Sequence, residues 1–222
     1  MRTDKVVVFD LDDTLYNEID FLKSAYAEIA KKISNEVDVK QELIFDKMLF
    51  YYGNNKNCFK EILNEFKSLC STSDLLFIYR NHKPNITLLP DRLLVLNHLK
   101  KLGVPMGMIT DGRSIQQRNK LRALGITDFF SEIIISEEFK REKPDIKNFK
   151  YFENIFGNAQ YYYIGDNVRK DFISPNKLHW TTICIKDNGF NIHSQNTGAV
   201  DDSSLPKFYV AHFDQIITLL NL

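Results

Sequence analysis

Val6-Val7-Val8-Phe9-Asp10-Leu11-Asp12-Asp13-Thr14 is the stretch from which the rest of this chain is read: an apolar, β-branched run that ends in three acids and a hydroxyl. Such a run predicts an interior strand of a parallel sheet, buried on both faces. Side chains alternate along an extended chain, so Asp10 and Asp12 point the same way and share one small crevice beyond the strand. Two carboxylates that close repel each other unless a cation neutralises them or one keeps its proton, and both remedies belong to reactive sites. A lone DxD equally suits a turn or a helix N-cap, so other stretches must decide.

Three later apolar runs are followed by polar residues of complementary type. Met106-Gly107-Met108-Ile109 precedes Thr110-Asp111-Gly112, Ile133-Ile134-Ile135 precedes a segment with Lys143-Pro144, and Tyr161-Tyr162-Tyr163-Ile164 precedes Gly165-Asp166-Asn167 and then Asp171. In an open α/β sheet, ligands bind outside the carboxyl ends of the strands, where groups far apart in sequence converge. Acids, a hydroxyl and an amine are parts for handling a phosphate and a divalent cation. Taken singly, Thr110 suits a helix cap and Lys143, beside Lys140, Arg141 and Lys147, suits a solvated face. Only the ordered combination favours a site.

In order and type these residues resemble the four motifs of the haloacid dehalogenase superfamily: DxDxT as Asp10, Asp12 and Thr14, a hydroxyl residue as Thr110, a lysine as Lys143, and GDxxxxD as Gly165, Asp166 and Asp171. The resemblance covers nearly the whole chain. One departure follows Asp171, where Ser174-Pro175 and His179-Trp180 replace the small residues and glycine of many members and leave the shape of that turn open.

The organisation is two-part. Beyond residue 15 the chain reads as helices at Ile19 to Ile33, Lys40 to Tyr52, Asn57 to Leu69 and Ser73 to Tyr79. After Pro90, helical stretches such as Arg92 to Leu102 and Ser114 to Leu124 alternate with strand-like runs at 105–109, 133–135, 161–164, 182–185 and 209–211. That is the βαβ rhythm of a parallel sheet, to which the first strand, Lys5 to Phe9, belongs. The expected fold is therefore α/β, a Rossmann-like parallel-sheet core in three α/β/α layers formed by residues 1–14 and 90–222, with the helical residues 15–89 inserted. The resemblance implies that this insertion is a cap, hinged near Leu15-Asn17 and Leu88-Pro90 and overhanging the site.

Composition narrows the classes. Lys+Arg and Asp+Glu both number 29, so no bulk charge recruits nucleic acid or a membrane surface. Cys58, Cys70 and Cys184 are odd in number and form no CxxC pair, which favours reduced thiols and a cytoplasmic setting. The five histidines lack zinc-ligand spacing, and the first apolar run meets Asp10 too soon for a signal peptide or a membrane span. A monomer or homodimer acting on a small molecule is expected.

The resemblance further implies a magnesium-dependent phosphatase of small phosphorylated metabolites, a sugar phosphate or nucleotide, working through an aspartyl phosphate. Asp10 is then the nucleophile and Asp12 the acid and base. Asp10, Asp166 and the Asp12 carbonyl would hold Mg2+, with Asp171 acting through water or orienting its neighbours. Lys143 offsets charge, while Thr110 Oγ and the N–H groups of Asp111 and Gly112 bind the phosphoryl oxygens. Thr14 supports the first loop and Asp13 serves as a turn residue. The cap is expected to select substrate through residues such as Tyr16, Asn17, Tyr52 and Asn54, the segment Tyr51-Tyr52-Gly53-Asn54-Asn55 being read as an interhelical loop. A phosphomutase of the same superfamily and a receiver-type signalling domain are the alternatives. The receiver reading leaves the helical insertion and the late GDxxxxD unexplained, and the polar 188–207 segment has no assigned role.

Overall fold

Strand β1 (Lys5–Phe9) is flanked on both sides, as its unbroken apolar sequence predicts. In the computed structural model, which describes residues 4–198 and 200–222, Val8 lies opposite Gly107 of β2 (Met106–Thr110) and opposite Tyr163 of β4 (Gln160–Gly165). With β3 (Glu132–Ile135), β5 (Thr181–Ile185) and β6 (Phe208–Val210), these form a six-stranded parallel sheet in the order β3-β2-β1-β4-β5-β6. The chain runs outward from β1 through β2 to β3 and then returns to β4 on the other side of β1. The carboxyl ends of β1 and β4 therefore border the switch point of the sheet, where crossovers diverge and leave a crevice.

Alternation along the strands feeds two buried layers. Val7 and Phe9 join Val95, Leu96 and Leu99 of α5 (Pro90–Lys101) and Leu121 of α6 (Ser114–Leu124), while Val6 and Val8 join Phe149 and Phe152 of α7 (Ile146–Phe156) on the opposite face. Full burial of a Val, Leu or Phe side chain is worth ~1.5–3 kcal/mol, so each layer holds its helices firmly. Gly107 is part of the fit: a Cβ there would stand 2.1 Å from Phe152, so only glycine lets that ring lie on the sheet.

Between β1 and α5 come α1 (Glu18–Val37), α2 (Gln41–Gly53), α3 (Cys58–Phe66) and α4 (Thr72–Asn81). They share a third buried cluster, in which Leu22, Tyr26, Ile29 and Ile33 recur at helical spacing along α1 and meet Ile44, Met48, Ile62 and Leu75. Local chemistry moves several expected ends. Asn57 is the cap of α3, its side chain accepting from Lys60 N, and Lys67 closes that helix in a left-handed conformation (φ 52°). Ser71 and Asp74 form a reciprocal cap that starts α4. The expected loop Tyr51 to Asn55 is corrected: α2 continues through Gly53, and Asn55 rather than the glycine takes the left-handed backbone (φ 54°).

Downstream of Asp171, Pro175 sits in the first turn of α8 (Ile173–Lys177), where its missing N–H costs no helical bond, and His179 adopts φ 60° where glycine would be unstrained. No helix among the described residues is long and apolar enough to cross a membrane.

Candidate active site

The strand ends bring Asp10, Asp166, Asp171 and Lys143 together. One carboxylate oxygen from each acid lies within 4.8 Å of the others, and all three acids are buried. Lys143 Nζ stands 2.5 Å from Asp10 Oδ1 and 2.7 Å from Asp171 Oδ1, and also donates to Tyr163 OH at 3.2 Å. Asp171 is held in turn by the Asn167 N–H at 2.9 Å. It fits because Gly165 has no side chain, since a Cβ there would stand 2.5 Å from Asp171 Oδ2. Burial pushes the carboxyls of Asp10 and Asp166 well above the usual range, and the neighbouring acids add to it, with Lys143 offsetting part of the effect. Burial also opposes the charge on Lys143, but Asp10 and Asp171 outweigh it and keep the amine protonated. Lys143 pairs with two of the three acids, and Asp166 has no ion-pair partner among the described residues.

Asp12 faces the same cavity but belongs to a second cluster that sequence reasoning missed. Lys120 of α6, fully buried, places Nζ 2.7 Å from Asp12 Oδ1, and Gln117 Nε2 donates to Asp12 Oδ2 at 2.9 Å. Tyr16 OH donates to Asp12 as well. Burial alone would raise the Asp12 carboxyl; Lys120 and these hydrogen bonds outweigh it and hold the group below the usual range. Glu18, the first residue of α1, faces the cavity 4.0 Å from Lys120 Nζ. Burial and the neighbouring Asp12 push its carboxyl up to about 8. The missed signal was the spacing of Gln117 and Lys120 on α6, which puts both on one helical face; both are buried polar side chains, and nothing local says that an acid awaits them.

At the end of β2, Thr110 Oγ1 accepts from Gln117 Nε2 at 2.6 Å, which leaves the hydroxyl proton to donate into the cavity. Asp111 accepts from Lys143 N at 3.0 Å and from Lys170 Nζ at 2.9 Å, and Lys170 contributes a second cation to the cavity wall. Three expectations are corrected here. Gly112 N–H is spent on Ser136 Oγ at 2.9 Å and does not face the cavity. Tyr16 does not line the cavity, because its hydroxyl is committed to Asp12 and its ring is buried. Asn54 is exposed at the end of α2, where its amide donates back to Phe50 O at 2.8 Å, and it too is absent from the lining. Thr14 sits under the first loop, its carbonyl accepting from Arg92 Nε at 3.3 Å.

Asp13 ties that loop to two others. In a left-handed conformation (φ 53°), it accepts from Glu18 N at 2.7 Å and from Ile192 N at 2.8 Å. Asn191 Nδ2 then donates to Asp166 Oδ2 at 2.9 Å. The cavity bounded by these groups holds about 130 Å³.

A parallel α/β sheet with this acid and lysine constellation at its switch point matches a known family. The haloacid dehalogenase-like hydrolase model matches residues 7–185, and the chain belongs to that family. It is 33% identical over 195 residues to a glyceraldehyde 3-phosphate phosphatase of Methanocaldococcus jannaschii, across 82% of this chain and 84% of that protein. A phosphatase of the same description from Pyrococcus abyssi is 30% identical, covering 82% and 81%. Within the family, this protein is a phosphatase. Its fold is shared by the HAD-hydrolase YfnB of Bacillus subtilis, a structure bound to magnesium, with a TM-score of 0.71 at 18% identity over 100% of both chains.

Proposed function

We propose that this phosphatase is magnesium-dependent, acts on a short phosphorylated metabolite and forms an aspartyl phosphate on Asp10. The observation that carries the reading is the charge balance at the strand ends: of three buried carboxylates, Asp10 and Asp171 share Lys143, and Asp166 has no ion-pair partner among the described residues. When ionised the three exceed Lys143 by two negative charges, which a divalent cation with oxygen ligands fits. Magnesium held by Asp10, Asp166 and the Asp12 carbonyl, with Asp171 behind them, would neutralise that surplus and draw charge from the phosphoryl oxygens.

The chain's own groups divide the remaining work. An Asp10 carboxylate oxygen attacks phosphorus while the leaving-group oxygen departs, and Lys143, Lys170 and the Thr110 hydroxyl hold the other oxygens. Asp12 takes up the proton that a monoanionic phosphoester brings, gives it to the departing oxygen, and later takes one from the water that hydrolyses the aspartyl phosphate. Lys120 stabilises the ionised Asp12, the state left by the first transfer, and so makes the protonated form a stronger acid.

Size and likeness point to a small substrate. A cavity of about 130 Å³ lies well below the ~300–1,000 Å³ of ordinary small-molecule sites. Relatives at 33% and 30% identity are named for glyceraldehyde 3-phosphate, which makes a three-carbon phosphoester the first substrate to try, ahead of a hexose phosphate or nucleotide. The helices α1–α4 form the cap over this site, joined through 15–17 and the extended stretch before Pro90. Free Cys58, Cys70 and Cys184 suit a reducing, cytoplasmic setting. The deciding experiment is a turnover screen with magnesium against glyceraldehyde 3-phosphate, a hexose phosphate and a nucleoside monophosphate. Preference for the larger esters would overturn the three-carbon reading, and no turnover of any would overturn the proposal.

A further inference from the structure

The polar segment after β5 takes no part in the chemistry above, yet its first half lies across the site. Gln195 clamps its base: Oε1 accepts from Asp187 N at 2.9 Å, while Nε2 donates to Ile185 O at 2.7 Å and to Asp166 O at 2.9 Å. Asp187 Oδ1 accepts from Gly189 N and Asn191 N, and Gly189 takes φ +93°, so the loop folds back on itself. Its tip is fastened to the catalytic loops by Asn191 on Asp166 and by Ile192 N on Asp13. The Ile192 side chain packs against the cluster of α1–α4, so the loop touches sheet and helical block at once.

The next residue, His193, is exposed and lines the cavity, and makes no side-chain hydrogen bond among the described residues. We propose that this loop, 187–195, selects the leaving group and that His193 is its contact with substrate. The proposal rests on the phosphatase reading of the site. Every side chain lining the cavity is polar: Lys143 and Lys170 are its cations, and Asp13 and Glu18 are among its acids. An imidazole adds ring nitrogens that hydrogen-bond to oxygen groups from such a wall. A leaving group with hydroxyl or carbonyl oxygens finds partners there, whereas an aryl leaving group strips those groups of water and returns no hydrogen bond. The class selected is a short, oxygen-rich phosphoester.

The test compares glycerol 3-phosphate with phenyl phosphate in the full-length, magnesium-supplied enzyme. His193→Ala should lower the ratio of kcat/KM for glycerol 3-phosphate over phenyl phosphate by about tenfold, chiefly through KM, and His193→Gln, which keeps a donor and an acceptor, should recover part of it. A ratio unchanged in both variants, or an equal fall for both substrates, overturns the assignment of His193 while the phosphatase reading stands. Wild-type enzyme that hydrolyses neither ester overturns the reading of the substrate as a short phosphoester, and this proposal with it.

Discussion

Lys120 Nζ lies 2.7 Å from Asp12 Oδ1, joining a helix after β2 to the loop after β1, and the lysine is 1% exposed while the acid opens on the cavity. A buried cation of this kind sets the proton affinity of its partner. Lys120→Met should raise the Asp12 carboxyl, so that more of it is protonated at neutral pH but each proton is given up less readily, and turnover should depend more steeply on the leaving group. The check is the slope of log kcat against leaving-group pKa, which should be steeper in the variant; parallel slopes would remove Lys120 from the acid's control.

Asp12→Asn should share that pattern in stronger form, because no proton can be delivered to the departing oxygen. Asp10→Asn should abolish turnover of every ester, good leaving group or poor, since the amide nearly matches the carboxylate in shape but cannot serve as the nucleophile. Circular dichroism and unfolding curves should show both variants folded. Comparable residual turnover on alkyl and aryl esters in Asp12→Asn would argue against an acid role for Asp12.

Chelation should eliminate activity and added magnesium restore it, while calcium, with its longer and more numerous oxygen bonds, should inhibit. The grounds are the acid surplus over Lys143. Asp166→Ala should also weaken magnesium binding measured by calorimetry, a readout independent of turnover. Full activity in metal-free enzyme would exclude the proposed role of the Asp10 and Asp166 pair.

Two glycines make opposite predictions. Gly107→Ala sets a methyl against Phe152 in the middle of the sheet, so chemical unfolding should show a loss of ~1–3 kcal/mol or more. Gly165→Ala sets one against Asp171 instead, so the acid must move. Magnesium affinity and kcat should fall in Gly165→Ala more steeply than stability does; a purely structural loss would show both glycines to be packing residues alone.

The sequence by itself determined the strands, the motif acids at their ends and the helical character of 18–81, because these depend on near-neighbour pattern: alternation, apolar runs and caps repeat every two to four residues. It marked Asp10, Lys143, Asp166 and Asp171 because a short ordered set of unlike polar residues follows successive strands. Only the tertiary structure decided the rest. Lys120 meets Asp12 across 108 residues and Asn191 meets Asp166 across 25, contacts made by crossovers folding back over the switch point. It also decided which polar groups are already spent: Gly112 on Ser136, Tyr16 on Asp12 and Asn54 on Phe50. A donor's type is written in the chain, but whether it still has a bond to give depends on what the fold places beside it.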